Sequence, residues 1–547
     1  MVFRGSITYI TRCIRLSRQY RNSLYNMSGG HESMNELSDL QQIPLRFRQL
    51  RQQIDVLIDK FEGSGHKIYL VGGSVRDLLF DLKIRSSNSS LDGEEAEFEK
   101  PGNDDSSSGS LELNSYQEID GQDRLSRLQV SLPDFDFTTD ASPDATEELL
   151  ASLRVPIWTQ GKRFGTIGCI YNNIRCEITT HRSEFYHEDS RKPQVSFSPA
   201  IEQDLSRRDF TINSLALKLP ELELVDPFGG VTDLINHKLR TPLQATESFS
   251  DDPLRMLRAA RFIAKGFEPS SEIVEAVSQL KERLSIVSRE RIRDELDKLM
   301  IEPDPSSGLW FLIETELANQ FIPELPALAL EQDPVHRHKD VLAHTIAVVA
   351  KTRPDKILRL AALFHDIGKP STRTIGENGA SFHFHDVVGA KMTRKRMREL
   401  RYSQNDIEDV TTLVELHLRF HTYRLGWTDS AVRRYVRDAG KHLDRLNELT
   451  RCDCTTRNQS KARDLSNRMD ELELRIAQLK EKEELDAIKP DLTGNDIMDI
   501  LKLEPGPQVG KALSFMLELR LTEGPLDHDV ASKRLLDWWS SERTEST

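Results

Sequence analysis

The chain reads as an α+β protein, a mixed α/β head followed by an all-helical remainder. Three observations predict this. Between about residues 67 and 180, short apolar runs are bounded by Gly-Gly and Asn-Asn pairs, the pattern of strands and tight turns. From Asp252 onward, apolar residues recur at helical spacing almost to the C-terminus. Apolar residues make up 37% and charged residues 30% of the 547, the balance of a globular chain of roughly three or four domains. No apolar run approaches the roughly 18 residues of a membrane helix, so membrane partners are not expected.

The first 40 residues read as a leader. Residues 1–30 carry five arginines and no acid, as a mitochondrial presequence does. A disordered leader, or a start codon set too early, is the favoured reading. The expected location is the cytoplasm, or the mitochondrial matrix if the leader targets. Residues 41–246 form the head. Leu45, Phe47, Leu50, Ile54, Leu57, Ile58 and Phe61 recur as one helical face over 44–61. Lys67–Val71 is a strand running into Gly72-Gly73. Residues 85–131 are rich in Ser, Asp, Glu, Gly and Asn and cannot bury a core, so they read as a disordered insertion. Asp134–Phe137 restores order. Gly165–Tyr171 and Ile174–Thr179 pair as strands turned at Asn172-Asn173. Residues 200–217 have a helical pattern. Residues 247–330 form a helical neck broken near Pro269 and at Pro303–Pro305. Residues 331–460 are a histidine-rich helical block. Residues 461–547 are a helical tail punctuated by Gly494, Pro505-Gly506-Pro507 and Gly510.

The net charge of −14 argues at first against a nucleic-acid partner. The imbalance is local, however. Residues 91–133 hold eleven acids and three bases, which accounts for more than half of it. Basic helical stretches, Arg289–Arg293 and Lys391–Arg401, are left to track a phosphate backbone or simply to face solvent. Five cysteines are too few for a disulfide scaffold and suit a reducing compartment. Cys452 and Cys454, with no second pair following, argue against a structural zinc.

Four constellations carry chemistry. In the first, a strand ends in Gly72-Gly73 and enters a helix, which lets backbone N–H groups approach a phosphate. Asp134 and Asp136 are two apart on a strand and so share a face. An isolated Asp-x-Asp is more often an exposed strand edge. Beside a Gly-Gly strand, it reads as a holder of Mg²⁺, a hard ion that takes carboxylate oxygens and substrate phosphates. Glu177 is a candidate third carboxylate. In the second, Arg207-Arg208-Asp209 precedes Asn213. If the segment is helical, Asp209 and Asn213 share a face and could hold ribose hydroxyls, or merely cap a helix. In the third, Asp252 caps a helix opened by Pro253 and stands three residues before Arg255. Such a pair offers an acceptor beside a donor fork. Adenine and cytosine present the complementary edge, and guanine and uracil the reverse. A solvated ion pair is the plain alternative. The fourth is His344, His365-Asp366, His385, His417 and Asp453. His365-Asp366 follows the apolar run Ala361–Phe364, where charge is costly unless paired or ligated. Imidazole with carboxylate suits a divalent transition metal and metal-assisted phosphoester hydrolysis, or a buried structural pair.

Taken in order, Gly72-Gly73-Ser74-Val75-Arg76-Asp77, Asp134-Phe135-Asp136, Arg207-Arg208-Asp209, Asp226-Pro227-Phe228-Gly229-Gly230 and Asp251-Asp252-Pro253-Leu254-Arg255 resemble the class II tRNA nucleotidyltransferases (CCA-adding enzymes) and bacterial poly(A) polymerases. His365-Asp366-Ile367-Gly368-Lys369-Pro370, Val414–His421, Asp453–Asn458 and Gly506–Ala512 resemble the HD-domain members, most of all the actinobacterial ones. The likeness spans about residues 41–540. It implies a polymerase-β-like nucleotidyltransferase head, an RNA-binding neck over 247–330, an HD-type domain over 331–460 and a helical tail. It implies Mg²⁺ on Asp134 and Asp136, and a triphosphate pocket with Gly72, Gly73, Arg76, Asp77 and Arg208. Asp209 and Asn213 would hold the ribose, Asp252 and Arg255 the base, and Arg258 and Arg261 phosphates. His344, His365, Asp366 and Asp453 would be the HD metal ligands.

The implied activity is template-independent addition of CCA to the 3′ end of tRNA from CTP and ATP, releasing pyrophosphate. Poly(A) addition, partial CC or A addition, and HD-centred hydrolysis at RNA ends are the alternatives. The segment between about Ser183 and Leu205 is expected to be a flexible loop that shapes this choice. The insertion and Asp251, where Glu is usual, depart from the family pattern. Nothing in the sequence fixes the oligomeric state.

Overall fold

The structure, a computed structural model, describes residues 54–79, 134–187, 190–197, 200–330, 340–376, 379–422, 427–454, 459–483 and 488–545. The expected leader and the acidic insertion lie outside the described residues. The chain divides into two units. One runs to Arg255 and takes in Phe267–Ala276; the other holds Met256–Gly266 and continues from Val277.

The first unit is built on one mixed sheet. Its strands are β1 (Ile68–Val71), β2 (Asp134–Thr139), β3 (Ile157–Trp158), β4 (Thr166–Tyr171) and β5 (Ile174–Thr180). Then β6 (Arg182–His187) and β7 (Ser190–Phe197) form a separate hairpin, and β8 (Ala216–Leu219) and β9 (Glu223–Val225) complete the sheet. The order across it is β3-β4-β5-β2-β1-β8-β9. β2 and β5 are parallel, and the other neighbours antiparallel.

Each element follows from its residues. All four residues of β1 are buried, which places it centrally. The helix over 54–62 buries Ile54, Leu57, Ile58 and Phe61 of the predicted stripe; Leu45, Phe47 and Leu50 lie outside the described residues. Asn172 and Asn173 take φ of 48° and 60°, the left-handed pair that a two-residue hairpin turn requires. Gly168 is obligatory for a different reason: a Cβ there would fall 2.0 Å from the Trp158 ring.

Four expectations need correction. Residues 200–217 are not one helix. Ile201–Ser206 is helical, Thr211–Asn213 makes one 3₁₀ turn, and β8 then pairs with β1, Val71 opposite Ala216 and Leu70 opposite Leu217. Sheet pairing on a buried edge of β1 overrides the local helical pattern. The segment expected to be a flexible loop is the β6–β7 hairpin, with Arg182 opposite Phe197. The C-terminal remainder is not purely helical either. Arg373–Gly376 and Gly379–Phe382 pair as antiparallel strands, Arg373 opposite Phe382. In the tail, Gly510 lies inside the helix Pro507–Glu523 and does not interrupt it.

In the second unit the helix Lys356–Phe364 is buried along almost its whole surface, as the central rod of a bundle must be. It carries one buried cation. Arg359, 1% exposed, donates to the carbonyls of Thr352, Met300, Glu302 and Pro303. The tail packs Leu492, Ile497, Val509, Ala512, Met516, Ala531 and Leu535 into its own cluster. Among the described residues no helix is long and apolar enough to cross a membrane.

Arg359→Met keeps the apolar stem and removes the donors. It should cost about 3 kcal/mol or more, because several buried carbonyls lose their partner. Urea unfolding followed by circular dichroism measures this, and an unchanged midpoint would mean that water replaces the guanidinium.

Candidate functional site

Two sites emerge, one in each unit. The first is at the open end of the sheet. β2 begins with exposed Asp134 and Asp136 before it dives into the core. The parallel register sets Asp134 beside Arg175 and Asp136 beside Glu177, all on one face. The antiparallel register with β1, which pairs Leu70 with Phe137, brings Val71 opposite Asp136 when carried on. The turn at Gly72-Gly73 is thereby placed next to the two carboxylates. Gly72 has φ of +70°, and a Cβ there would lie 2.8 Å from the Arg208 guanidinium. Glycine takes this left-handed turn without strain.

Charge is concentrated here. Desolvation raises the Asp136 carboxyl above its ordinary range; Arg208 opposes the shift, and Glu177 and Asp134 add to it. Asp134 is raised for similar reasons, with Arg175 opposing. Glu177 is drawn to Arg175 at 2.9 Å. These acids have the oxygen-only donor set that a hard divalent ion takes.

The second motif closes the site. Asp209 Oδ1 accepts from the Asn213 amide at 2.9 Å, and Asn213 Oδ1 accepts from Arg76 at 2.6 Å. Arg76 also pairs with Asp77 at 2.7 Å. Asp209 and Asn213 do meet, although across a 3₁₀ turn rather than an α-helical face. Asp226 caps the helix Gly230–Ile235, accepting from Gly230 N at 2.7 Å and Val231 N at 3.0 Å. A Cβ on Gly230 would fall 2.1 Å from the Thr211 carbonyl, so this motif presses its helix against the turn that holds Asn213.

Sequence reasoning missed Asp204. It is fully buried and takes Arg207 at 2.6 Å and Arg208 at 3.3 Å. Burial would raise its carboxyl, but the two guanidiniums hold it below the ordinary range. The signal was the spacing of three and four residues to Arg207 and Arg208.

The third motif is tied to the second. Asp252 Oδ1 accepts from Leu254 N at 3.2 Å, the predicted cap. Arg255 donates to Ser248 Oγ at 2.7 Å and to the Arg207 carbonyl. Arg258 and Arg261 belong to the other unit. They flank buried Glu295 at 3.7 and 3.1 Å.

The second site is the histidine cluster. His365 Nε2 lies 3.4 Å from His344 Nε2, 3.2 Å from Asp366 Oδ2 and 3.5 Å from Asp453 Oδ1. His344 Nε2 is 2.9 Å from Asp453. All four predicted ligands therefore converge. Among the described residues, the groups offering three ligand atoms within 4.8 Å are both in this cluster. Burial would lower His365, but Asp366 and Asp453 overcome it and raise the ring to about 10. Burial and the charge on His365 lower His417 to about 4. Against their burial, Asp366 is held well below the carboxylate range by His365, His385 and Lys369, and Asp453 by His344 and His365.

Residues 122–240 match the poly A polymerase head domain, 266–328 a probable RNA- and SrmB-binding site of polymerase A, and 341–479 the HD domain. An A-adding tRNA nucleotidyltransferase of Deinococcus radiodurans is 34% identical over 64% of this chain and 81% of its own length. A CC-adding tRNA nucleotidyltransferase of Thermus thermophilus is 32% identical over 64% and 80%. The crystal structure of a Bacillus stearothermophilus CCA-adding enzyme with CTP superimposes with a TM-score of 0.61 at 19% identity, over 90% of this chain and 99% of that one.

The cluster makes a prediction about protons. With no ion bound, His365 still carries its extra proton at pH 8, because its pKa is about 10. A metal must displace that proton. Metal affinity should therefore rise with pH toward 10. Calorimetry at pH 8 in buffers of different ionisation enthalpy should show about one proton released per ion at this cluster. A heat independent of buffer would mean that the ring enters uncharged.

Proposed function

The chain belongs to the family of tRNA nucleotidyltransferases and poly(A) polymerases, and we propose that it adds C, C and A in turn to the 3′ end of tRNA, using CTP and ATP and releasing pyrophosphate. The observation that carries the reading is Arg208. Its guanidinium lies against the Gly72 turn, and its charge acts on the Asp136 carboxyl.

In this reading Asp134 and Asp136 hold Mg²⁺. The ion supplies charge neutralisation at the transferring phosphoryl and lowers the cost of ionising the attacking hydroxyl. The residues of the chain do the rest. The backbone at Gly72-Gly73, with Arg76 and Arg208, takes the triphosphate; Asp77 orients Arg76. Asp209 and Asn213 hold the ribose. Asp252 and Arg255 offer the edge that fits cytosine and adenine. Because Arg255 also binds the Arg207 carbonyl, base reading is coupled to the ribose motif. Phosphate contact by Arg258 or Arg261 would mean sharing them with Glu295.

The relatives include A-adding and CC-adding enzymes, so the count and kind of nucleotide added are the sharp test. We favour the full CCA because one Asp/Arg edge accepts both bases. A second activity, phosphoester hydrolysis with a transition metal on His344, His365, Asp366 and Asp453, is favoured by their convergence. A reducing, cytoplasmic setting suits the four described cysteines, all free thiols.

Labelled nucleotides should be offered one at a time to tRNA lacking CCA, to tRNA ending in CC and to an unrelated RNA. Two C residues on the first and a single A on the second are expected. A alone on the CC end, C alone, or long A tracts on any RNA would each replace the proposal with a narrower activity. Asp136→Asn should cut incorporation on the order of 10³-fold and leave hydrolysis at the histidine cluster intact. Arg255→Ala should lower kcat/KM for CTP and ATP on the order of 10²-fold and weaken rejection of GTP and UTP, read by competition between nucleotides.

A further inference from the structure

The short helix Ile201–Ser206 carries a charge on its buried face. Its buried positions are 201, 204 and 205, the i, i+3, i+4 stripe that a helix turns to the core. Ile201 and Leu205 pack there with Tyr69, Val71 and Ala216, which seats the helix against the end of β1 that leads into Gly72. The third position is Asp204, and solvent does not reach its side chain. A carboxylate in a core stripe is costly unless paired. Even when paired, it is often no better for stability than an apolar residue of similar size. Its place in the stripe calls for another reason.

The two oxygens of Asp204 divide between two arginines. Oδ1 accepts from Arg207 Nε at 3.0 Å and Nη2 at 2.6 Å, and Oδ2 accepts from Arg208 Nη2 at 3.3 Å. Those arginines serve different parts of the nucleotide site. Arg208 presents Nη1 to the Gly72 turn, where an added Cβ would meet it at 2.8 Å, and its charge acts on Asp136. Arg208 Nε is buried and has no hydrogen-bond partner among the described residues. An unpaired buried donor is destabilising, so the fold alone does not explain this placement. Arg207 instead offers its backbone carbonyl to Arg255, which also donates to Ser248 Oγ at 2.7 Å. One carboxylate beneath two guanidiniums leaves a surplus positive charge, which suits an anionic triphosphate.

We propose that Asp204 is a positioning residue that couples the grip on the triphosphate to the reading of the base. It holds Arg208 at the glycine turn, and it holds Arg207, on whose carbonyl Arg255 is set. The role deepens the nucleotidyltransferase reading above and rests on it. A base edge that misfits Arg255 displaces the Arg207 carbonyl, and the displacement passes through Asp204 to Arg208. Selection then acts on the whole nucleotide and not on its base alone. The same anchor keeps Arg208 from swinging onto Asp134 and Asp136, where its charge would compete with Mg²⁺.

Asp204→Asn keeps the shape and one acceptor oxygen and removes the charge. The full chain is titrated by calorimetry with CTP, ATP, GTP and UTP in turn, and with inorganic tripolyphosphate. Mg²⁺ is present and RNA is not, so nothing is transferred. The parent chain should prefer CTP and ATP. Asp204→Asn should weaken tripolyphosphate, CTP and ATP about tenfold and GTP and UTP less, so that the preference narrows. In incorporation assays it should also raise the Mg²⁺ concentration needed for half-maximal rate. In an Arg255→Ala background, Asp204→Asn should change base preference no further, because both act along one path. Arg207→Met serves as the second variant if Asp204→Asn does not fold, judged by circular dichroism. It frees one arm only, so base preference should fall while tripolyphosphate affinity holds. Unchanged affinities in a folded Asp204→Asn chain would overturn the proposal and leave Asp204 as part of a structural ion triad. Equal weakening of all four nucleotides would overturn the coupling. A parent chain that selects CTP and ATP but extends no RNA, with the expected Asp204→Asn result, would uphold the coupling and overturn the tRNA reading.

Discussion

The chemistry of the head depends on strand register. β2 runs antiparallel to β1 and parallel to β5, and these two pairings alone decide which side chains share its outer face. A slip of one residue would turn Phe135 and Phe137 to the face that carries Asp134 and Asp136. The inner face prevents it: Phe137, Ile167 and Ile178 are buried there. Polar bonds along the strand reinforce it, with Thr139 Oγ1 donating to the Lys67 carbonyl at 2.6 Å and Thr138 Oγ1 to the Thr179 carbonyl at 2.9 Å. The apolar pattern of the sheet thus positions the acids, although it touches no substrate.

In the helical unit the equivalent constraint is that no buried polar group goes unpaired. Helix ends leave carbonyls without partners. Two histidines occupy such ends, His365 after Lys356–Phe364 and His417 after Gln404–Leu416, and each gives its Nδ1 proton to a last-turn carbonyl. One contact satisfies the helix end and turns Nε2 inward as an acceptor. Arg359 applies the rule in reverse, a buried donor fork surrounded by carbonyls alone. Capping and ligand orientation are therefore the same interaction seen from two sides.

Legibility in the sequence follows the range of the interaction. β1, the β4–β5 hairpin and the cap at Asp252 were readable because their signals are local: an apolar run into Gly-Gly, Asn-Asn between alternating residues, and Asp before Pro. The acidic pair was readable because strand parity needs no tertiary knowledge. Within the expected helix 200–217, the part after Ser206 was misread because helical spacing there is outvoted by pairing with β1, 145 residues away at Val71–Ala216. The ligand set was read as His344, His365, Asp366 and Asp453. His385 and His417 were grouped with them but left out of the ligand set that the resemblance implies, and their meeting across 32 residues depends on how the helices pack. Asp204 was passed over because an Asp ahead of two arginines looks like an ordinary surface pair until it proves to be buried.

The two sites differ in donor chemistry, and the difference has a consequence for reaction order. Carboxylate oxygens at the head suit a hard ion that keeps its waters, whereas imidazoles suit a softer transition metal. One chain can therefore load both without either metal displacing the other. On the proposed reading the reactions are also complementary. Nucleotide addition needs a free 3′ hydroxyl as its nucleophile, and a phosphate left on a tRNA end blocks it. Hydrolysis at the histidine cluster yields that hydroxyl. The product of the second site is then the substrate of the first, and the order is set by chemistry: an end must be unblocked before it can be extended.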